Sequence, residues 1–208
     1  MAQRSRQLAE ERRRLRRLRN SLTDRERHVA ERSITATLRR LGCTARGRRV
    51  AVYLARDGEV DLAVLIRAAQ RAGARLYAPH ITSRRRRTIR FLPLRDDRAL
   101  RRNWYGIDEP AHEPALAAAP SRLDVILTPL VGFDSHGHRL GMGAGYYDRA
   151  LRRRLTGGAL RRPRLIGVAF ACQQTDTIAA APWDVPLDLV VTERGVMRPI
   201  PSNRGSTK

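Results

Sequence analysis

Three glycines alternate with other residues in the run Arg139-Leu-Gly-Met-Gly-Ala-Gly-Tyr-Tyr-Asp148. Glycine at every second position removes Cβ atoms along one edge of the backbone, so successive N–H groups can approach an anion closely. Arg139 offers a planar donor fork for phosphate, and Asp148 offers a carboxylate for the magnesium ion that accompanies a nucleotide. The run therefore predicts a polyphosphate-binding loop, with a tight turn between a strand and a helix as the alternative.

The spacing of these glycines fits neither of the common nucleotide-binding motifs, G-x-G-x-x-G and G-x-x-x-x-G-K-[ST]. The flanking sequence nevertheless favours an anion site. Residues 123–131 form a short apolar run typical of a buried strand, and 146–154 have the composition of a helix. A loop that opens a helix presents unpaired N–H groups and the positive end of the helix dipole to a ligand.

The remaining sequence predicts an α/β fold with a mostly parallel sheet. Residues 3–41 lack proline and glycine and read as one or two helices, the second beginning at the capping box Thr23-x-x-Glu26. A strand at 50–54, a helix at 60–72 and a strand at 75–78 form a βαβ unit. Ligands of open parallel sheets bind at the carboxyl ends of the strands, which would bring Glu59 to the same edge as the glycine loop. Further strands are expected at 88–92, at 165–170 and within 185–191.

Length and composition fit one domain in a reducing compartment. The 208 residues suffice for a single α/β domain, which we expect over 1–197 with arginine-rich N-terminal helices, followed by a mobile tail at 198–208. The two cysteines, Cys43 and Cys172, have no metal-ligand spacing, and neither a signal peptide nor an apolar stretch of membrane-spanning length is present. These features predict a cytoplasmic protein without a membrane partner.

The formal net charge is +22, and nearly all of the positive charge is arginine, since Lys208 is the only lysine. Such charge is typical of nucleic-acid-binding proteins, but the near-exclusive use of arginine favours codon bias in a GC-rich genome. Aromatic residues make up only 5% and do not alternate with the basic runs, which argues against a single-strand binding surface. A nucleic-acid-binding protein stays the alternative to a site that attracts small polyanions. The arginines of the first helix form either a solvated face or contacts with a nucleotide; they are Arg12, Arg13, Arg16 and Arg19.

Three further positions bear on chemistry. Trp104 and Tyr105 lie in a segment, 103–110, whose glycine and proline predict an irregular loop, where they either stack on a flat ring or seal the edge of the core. Asp184 lies between Trp183 and Val185, and a carboxylate in apolar company needs a partner such as an arginine or a metal. His136 and His138 are read as loop residues, since two histidines without further ligands make a weak metal site.

Five motifs follow one another along the chain: Tyr53-Leu-x-x-x-Gly-Glu-Val-Asp61, Tyr105-Gly-Ile-x-Glu-Pro110, Thr128-Pro-Leu-Val-x-Phe-Asp134, Gly137-x-Arg-Leu-Gly-Met-Gly-x-Gly-Tyr-Tyr-Asp-Arg149 and Trp183-Asp-Val-Pro-Leu-Asp188. In these motifs the chain resembles the 5-formyltetrahydrofolate cyclo-ligase family, also called 5,10-methenyltetrahydrofolate synthetases. The resemblance implies a three-layer α/β/α fold related to the sugar-isomerase and CoA-transferase group. It also implies ATP-dependent conversion of 5-formyltetrahydrofolate to 5,10-methenyltetrahydrofolate, with Mg²⁺ as cofactor.

The resemblance implies roles for individual residues. Arg139 and Tyr146 would act at the reacting groups, and Asp148 with Asp184 would hold magnesium. Tyr105 matches a position where an aromatic ring packs on the pterin. The ATP-binding positions would be Arg12, Arg139, Leu140, Gly141, Met142, Gly143, Ala144, Gly145, Tyr146 and Tyr147. The folate, with or without a polyglutamate tail, would contact Leu54, Glu59, Tyr105, Met142, Gly143, Ala144, Gly145 and Tyr146 of a monomer.

Two positions depart from the pattern of the family. Leu8 stands where many members have lysine, and Ala144 stands where some have lysine in the glycine loop. We expect neighbouring arginines to compensate, with Arg6, Arg13 and Arg16 as candidates. A folate-binding member with weak activity is the second alternative.

Overall fold

The computed structural model describes residues 2–95, 100–111, 114–155 and 163–200. Its helices are α1 (Ala2–Asn20), α2 (Asp24–Arg40), α3 (Ala63–Arg71) and α4 (Tyr146–Leu151). The first six strands are β1 (Arg49–Ala51), β2 (Arg75–Ser83), β3 (Thr88–Pro93), β4 (Leu100–Arg102), β5 (Asp108–Pro110) and β6 (Val125–Pro129). The other five are β7 (Gly132–Phe133), β8 (Arg139–Leu140), β9 (Arg164–Val168), β10 (Leu189–Thr192) and β11 (Gly195–Met197).

Seven of these strands form one sheet in the order β11-β10-β9-β6-β1-β2-β3. The five inner strands, β10, β9, β6, β1 and β2, are parallel to one another. The two edge strands, β3 and β11, are antiparallel. All four residues of β10 and the first four of β6 are buried, as expected for parallel strands covered on both faces.

Two apolar clusters cover the two faces of the sheet. One contains Ile34 and Leu38 of α2 and Leu65 of α3. The other contains Leu151 of α4 together with irregular segments around Leu123 and Leu187. The chain is thus a three-layer α/β structure with a mostly parallel sheet, which confirms the predicted fold class.

Helix α1 packs separately, against the loops at the carboxyl end of β6. Leu15 is fully buried in a third apolar cluster with Val131, Leu140 and Ile178. Gly132 leaves the room that this helix needs, since a Cβ added there would overlap Leu15 Cδ1. The predicted capping box then starts α2: Glu26 N–H donates to Thr23 Oγ1 (3.3 Å), and Thr23 N–H donates to the Glu26 carboxylate (2.8 Å).

The structure adds detail at two segments, 103–110 and the C-terminus, beyond what the sequence predicted. The predicted irregular loop at 103–110 lies within a hairpin of β4 and β5. Its turn is organised by Asn103 Oδ1, which accepts from the N–H groups of Tyr105 (2.8 Å) and Ile107 (3.1 Å).

At the C-terminus, Ile200 N–H donates to Ser135 O (2.9 Å), and the rest of the predicted tail, 201–208, lies outside the described residues. Within the described ranges, no helix has both the length and the apolar character to cross a membrane.

Truncation of Leu15 tests whether α1 is held by its buried face. Leu15→Ala removes a fully buried side chain, so we expect the free energy of unfolding to fall by about 2–4 kcal/mol. Leu18 lies on the same helix and is 40% exposed, so Leu18→Ala is expected to cost less than about 1 kcal/mol. Urea denaturation followed by circular dichroism measures both. Equal losses would show that α1 does not depend on this contact.

Candidate active site

The glycine loop connects β8 to α4 at the edge where the parallel strands end. Gly143 (φ +97°) and Gly145 (φ +68°) have left-handed backbone conformations that other residues rarely adopt. Gly141 has ordinary φ, and a Cβ placed there would have no described atom within 4 Å. Packing within the described chain therefore gives no reason for glycine at 141, whereas close approach of a ligand to the backbone does.

Arg12, on helix α1, contacts this loop. Arg12 Nε donates to Gly141 O (2.8 Å), and Arg12 Cζ would lie 3.7 Å from a Cβ at Gly143. Beside them the Met142 side chain is exposed, while Ala144 O accepts from Arg149 Nη1 (3.3 Å). The structure thus brings together the predicted nucleotide-facing arginine and the predicted loop.

Arg139 lies almost fully buried at the start of the loop. Its Nη2 donates to Asp148 Oδ1 (2.5 Å), and its guanidinium carbon lies 5.7 Å from the centre of the Tyr147 ring. Its Nη1 is buried and has no hydrogen-bond partner among the described residues. A buried donor without a partner costs about 1–3 kcal/mol, and a phosphate oxygen is the acceptor that a guanidinium suits best.

The two predicted metal ligands are neighbours in space. Asp148 Oδ1 accepts from the N–H of Val185 (3.2 Å), the residue after Asp184. Asp184 Oδ2 accepts from Ala181 N–H (2.7 Å) and lies 3.7 Å from Arg4 Nη2, so it has the charged partner that its apolar neighbours predicted. No group of three or more potential ligands among His, Cys, Asp and Glu occurs in the described part of the chain. Two carboxylates fit Mg²⁺ that takes its other ligands from phosphate and water.

Glu59 lies in a cleft of about 390 Å³ beside the sheet edge. The cleft is lined by the segment from Tyr53 to Glu59, which includes Leu54, and by residues of α3. The Glu59 carboxylate accepts from Arg56 N–H (3.1 Å). Burial raises the pKa of Glu59 to about 7, against the opposing effects of that hydrogen bond and of the nearby Arg19 charge.

Three arginines from the N-terminal helices hold the loop that carries Glu59. The side chain of Arg19 is fully buried and donates to Asp57 O (2.5 Å). Arg27 donates to Gly58 O (2.8 Å), and Arg16 pairs with the Asp57 carboxylate (2.8 Å). Arg16 was expected to compensate for the lysines absent at positions 8 and 144. In the structure its charge is instead paired with Asp57 in the Glu59 loop.

Arg19 and Arg27 were not singled out from sequence as residues that support the Glu59 loop. One signal was available for Arg19: Leu8, Arg12, Leu15 and Arg19 follow one another at intervals of four, three and four residues. This spacing places them on one face of a helix. On this face, Leu15 and Arg19 are both fully buried.

Tyr105 and Trp104 lie on the turn between β4 and β5. The Tyr105 hydroxyl is 3.1 Å from that of Tyr146, and the two rings meet edge to face. Tyr105 is 40% exposed and Trp104 is 82% exposed, so Trp104 does not seal the core. The turn that carries them also approaches the Glu59 loop, because Arg56 Nη2 would lie 3.9 Å from a Cβ at Gly106.

Tyr147 lies in the first turn of α4, directly after the glycine loop, with its ring centre 5.7 Å from the Arg139 guanidinium carbon. Burial raises the pKa of its phenol, and the charge of Glu59 raises it further while Arg139 opposes. The phenol therefore stays protonated near neutral pH.

The turn before the glycine loop is built on a buried carboxylate. Asp134 accepts the backbone N–H groups of His136 (3.0 Å), His138 (2.9 Å) and Ile178 (3.0 Å). It also bonds to His138 Nδ1 (2.8 Å). The two histidines belong to this turn, in agreement with their reading as loop residues.

Comparison with known proteins decides the family. The model of the "5-formyltetrahydrofolate cyclo-ligase family" matches residues 4–193. The chain belongs to this family. A 5-formyltetrahydrofolate cyclo-ligase of Haemophilus influenzae is 33% identical over 178 residues, which cover 85% of this chain and 93% of the relative. One of Escherichia coli K12 is 39% identical over 143 residues, or 69% of this chain and 76% of the relative.

Solved structures of the family have the same fold. The NMR structure of a 5,10-methenyltetrahydrofolate synthetase from Aquifex aeolicus matches with a TM-score of 0.76 and 29% identity, over 97% of this chain and 95% of that one. A 5,10-methenyltetrahydrofolate synthetase from Mycoplasma pneumoniae matches with a TM-score of 0.69 and 25% identity, over 89% and 98%. The similarity therefore covers the sheet, α1 and the loops at its edge.

The raised pKa of Glu59 predicts a pH-dependent cost in stability. The carboxyl pKa rises from 4.5 to about 7 on folding, so the folded state binds more protons between these values and stability falls as pH rises through them. Glu59→Gln abolishes this cost. We expect it to raise the free energy of unfolding by about 1–3 kcal/mol at pH 8 and by much less at pH 4.5.

Urea denaturation at the two pH values measures this difference. The exposed Glu10 on α1 provides the control, since Glu10→Gln removes the same charge from a solvated site. A pH-independent effect of Glu59→Gln would contradict the burial of an ionisable carboxyl.

Proposed function

We propose that the protein catalyses the ATP-dependent conversion of 5-formyltetrahydrofolate to 5,10-methenyltetrahydrofolate, with release of ADP and phosphate. The observation that carries this proposal is that one helix, α1, contacts both parts of the site, through Arg12 at Gly141 O and Arg19 at Asp57 O. A loop suited to phosphate and a cleft with a partly buried carboxylate are thus held by the same helix. Transfer of a phosphoryl group between two bound substrates needs this arrangement.

The chemistry of the formyl group explains the need for ATP. The N5-formyl carbonyl is amide-like, and its oxygen is a poor leaving group, so N10 cannot displace it unaided. Transfer of the terminal phosphoryl group of ATP to that oxygen releases ADP and gives an iminium phosphate. N10 then bonds to the activated carbon and loses its proton, and the carbon–oxygen bond breaks as phosphate leaves.

The side chains at the glycine loop supply positioning and charge neutralisation in this scheme. Arg139 Nη1 and the backbone N–H groups of 141–145 would bind the phosphates, with Arg12 beside them. Tyr146 would contact the reacting part of the folate. Phosphoryl transfer leaves little covalent chemistry for the protein, so we expect no nucleophilic side chain.

Asp148 and Asp184 would hold Mg²⁺ with the nucleotide. When bound, the ion neutralises charge on the phosphate oxygens during transfer. Both carboxylates have hydrogen-bond donors within the protein. Asp148 accepts from Arg139 and from Val185 N–H, and Asp184 accepts from Ala181 N–H. These partners orient the carboxylates before a ligand arrives.

The cleft at Glu59 would bind the pterin end of the folate. A carboxylate accepts hydrogen bonds from the N–H groups along one edge of a pterin ring, and Leu54 supplies an apolar contact nearby. Tyr105 would pack on the pterin. We expect a cytoplasmic enzyme that acts as a monomer, since a single chain supplies every one of these residues.

One spectrophotometric assay tests the proposal. We expect the absorbance of the methenyl product to grow only when ATP, Mg²⁺ and 5-formyltetrahydrofolate are all present. A wild-type protein that gives no such signal would overturn the function. Tight, steeply salt-dependent binding to polynucleotides in its place would favour the nucleic-acid alternative that the charge suggested.

Neutralising Asp184 tests the metal assignment. Asp184→Asn keeps an oxygen that can accept from Ala181 N–H but loses the charge that would face Mg²⁺. We expect kcat/KM for MgATP to fall roughly 10- to 100-fold, with partial recovery at high Mg²⁺. Asp176→Asn, at an exposed position of the same segment, is the control and is expected to have no effect. Similar activities for both variants would exclude Asp184 as a metal ligand.

A further inference from the structure

Glu109 is a buried carboxylate that has no part in the proposed mechanism. It lies in β5, the strand that follows the turn carrying Tyr105, and is only 9% exposed. A buried carboxylate needs hydrogen-bond donors to offset the hydration that it has lost. The donors around Glu109 therefore show which parts of the chain it holds together.

Two partners of Glu109 lie on β2. Strand β1 pairs only with 75–77 of β2, so the outer half of β2 has no strand on that side in the described chain. There Ile81 N–H donates to Glu109 Oε2 (3.1 Å), and His80 Nδ1 lies 3.1 Å from Glu109 Oε1. Since β4 and β5 form a two-stranded sheet of their own, Glu109 joins this hairpin to the main sheet.

The third partner of Glu109 lies in the turn itself. Asn103 Nδ2 donates to Glu109 Oε2 (3.2 Å). The oxygen of the same amide, Asn103 Oδ1, accepts from Tyr105 N–H (2.8 Å) and Ile107 N–H (3.1 Å). One side-chain amide thus connects the buried carboxylate to the backbone of Tyr105.

The turn sets the place of the Tyr105 ring. Its hydroxyl lies 3.1 Å from that of Tyr146 in α4, and the two ring centres are 6.3 Å apart. The Tyr105 side chain is exposed, so its backbone does more than its own packing to fix the ring. A ring that packs on a flat ligand has to be held at one height and angle.

We propose that Glu109, acting through Asn103, is a positioning residue that holds the Tyr105 ring against the pterin of the bound folate. This rests on the proposed function, in which Tyr105 packs on the pterin. Glu109 itself does not touch the substrate, since it is buried and three protein groups surround its two oxygens. Its loss weakens the folate and spares the nucleotide, whose contacts lie in the glycine loop.

Glu109→Ala removes the carboxylate and releases the turn. We expect KM for 5-formyltetrahydrofolate to rise about five- to tenfold, as for the loss of one aromatic contact, while KM for ATP and kcat stay within about twofold. Asn103→Ala cuts the same link at its other end and is expected to have a similar effect. The two changes together are expected to raise KM no more than either alone, because they break one chain of contacts.

Two further variants serve as controls. Glu109→Gln is expected to bring KM for the folate back to within about twofold of wild type, because its amide oxygen can accept from Ile81 N–H and Asn103 Nδ2. Asp108→Ala removes a carboxylate from the preceding residue of β5, where it is 49% exposed. We expect this change to leave KM for both substrates within about twofold.

A Tyr105→Ala background separates positioning from a general effect on the fold. Glu109→Ala is expected to change KM for the folate less than about twofold in this background, because the ring that it positions is gone. A full five- to tenfold rise there would overturn the proposal, as would an equal rise in KM for ATP or unchanged kinetics. If Glu109→Ala does not fold, Asn103→Ala in the two backgrounds gives the same decision.

Failure of the proposed function gives a different result. If the wild-type protein did not convert 5-formyltetrahydrofolate, calorimetry would measure its Kd, and we expect the same order of variants in Kd. Hydrogen exchange of the Tyr105 amide, followed by NMR, needs no ligand, because this N–H donates to Asn103 Oδ1. We expect faster exchange in Glu109→Ala and unchanged exchange in Asp108→Ala. Equal exchange in wild type and Glu109→Ala would overturn the positioning role whatever the activity.

Discussion

Docking of α1 onto the loops at the carboxyl edge of the sheet is the interaction on which the site depends. Leu15 anchors the helix, and arginines along it reach three separate loops. Arg4 Nε donates to Ala179 O (2.9 Å), Arg12 to Gly141 O (2.8 Å) and Arg19 to Asp57 O (2.5 Å). Irregular loops have carbonyl groups without regular partners, and guanidinium groups satisfy them at long reach. One helix thereby fixes the relative positions of the loops that carry Asp184, the glycines and Glu59.

These contacts also set the electrostatics of the site before any ligand binds. An arginine that bonds to a carbonyl keeps its full charge, since a carbonyl neutralises nothing. Arg12 therefore holds positive charge at the glycine loop in a fixed orientation, whereas the charge of Arg139 is paired with the Asp148 carboxylate. Part of the +22 net charge has this local use within the fold.

The fold and the main loop followed from local patterns, whereas the supports of the site did not. Residues close together in the sequence predict three features: the strand before the glycines, the capping box at Thr23 and the loop from Arg139 to Asp148. The contact between Arg19 and Asp57 joins positions 38 residues apart. The spacing of residues on α1 indicates that Arg19 faces the protein, but no local pattern predicts Asp57 as its partner. Arginine is mostly exposed in proteins, so composition favours a solvated face for α1. The hairpin at 100–110 was missed because its turn depends on one side chain, Asn103.

The proposed function would bring two negatively charged substrates to one site, so the charges of the protein at that site matter. An ionised Glu59 and the phosphates of ATP would both be anions there, and their repulsion would weaken the binding of each. The Tyr147 phenol adds no further negative charge, because burial and the charge of Glu59 both raise its pKa and keep it protonated. Arg19 opposes the charge of Glu59, and Arg139 lies at the glycine loop, so each anion would have a cation near it.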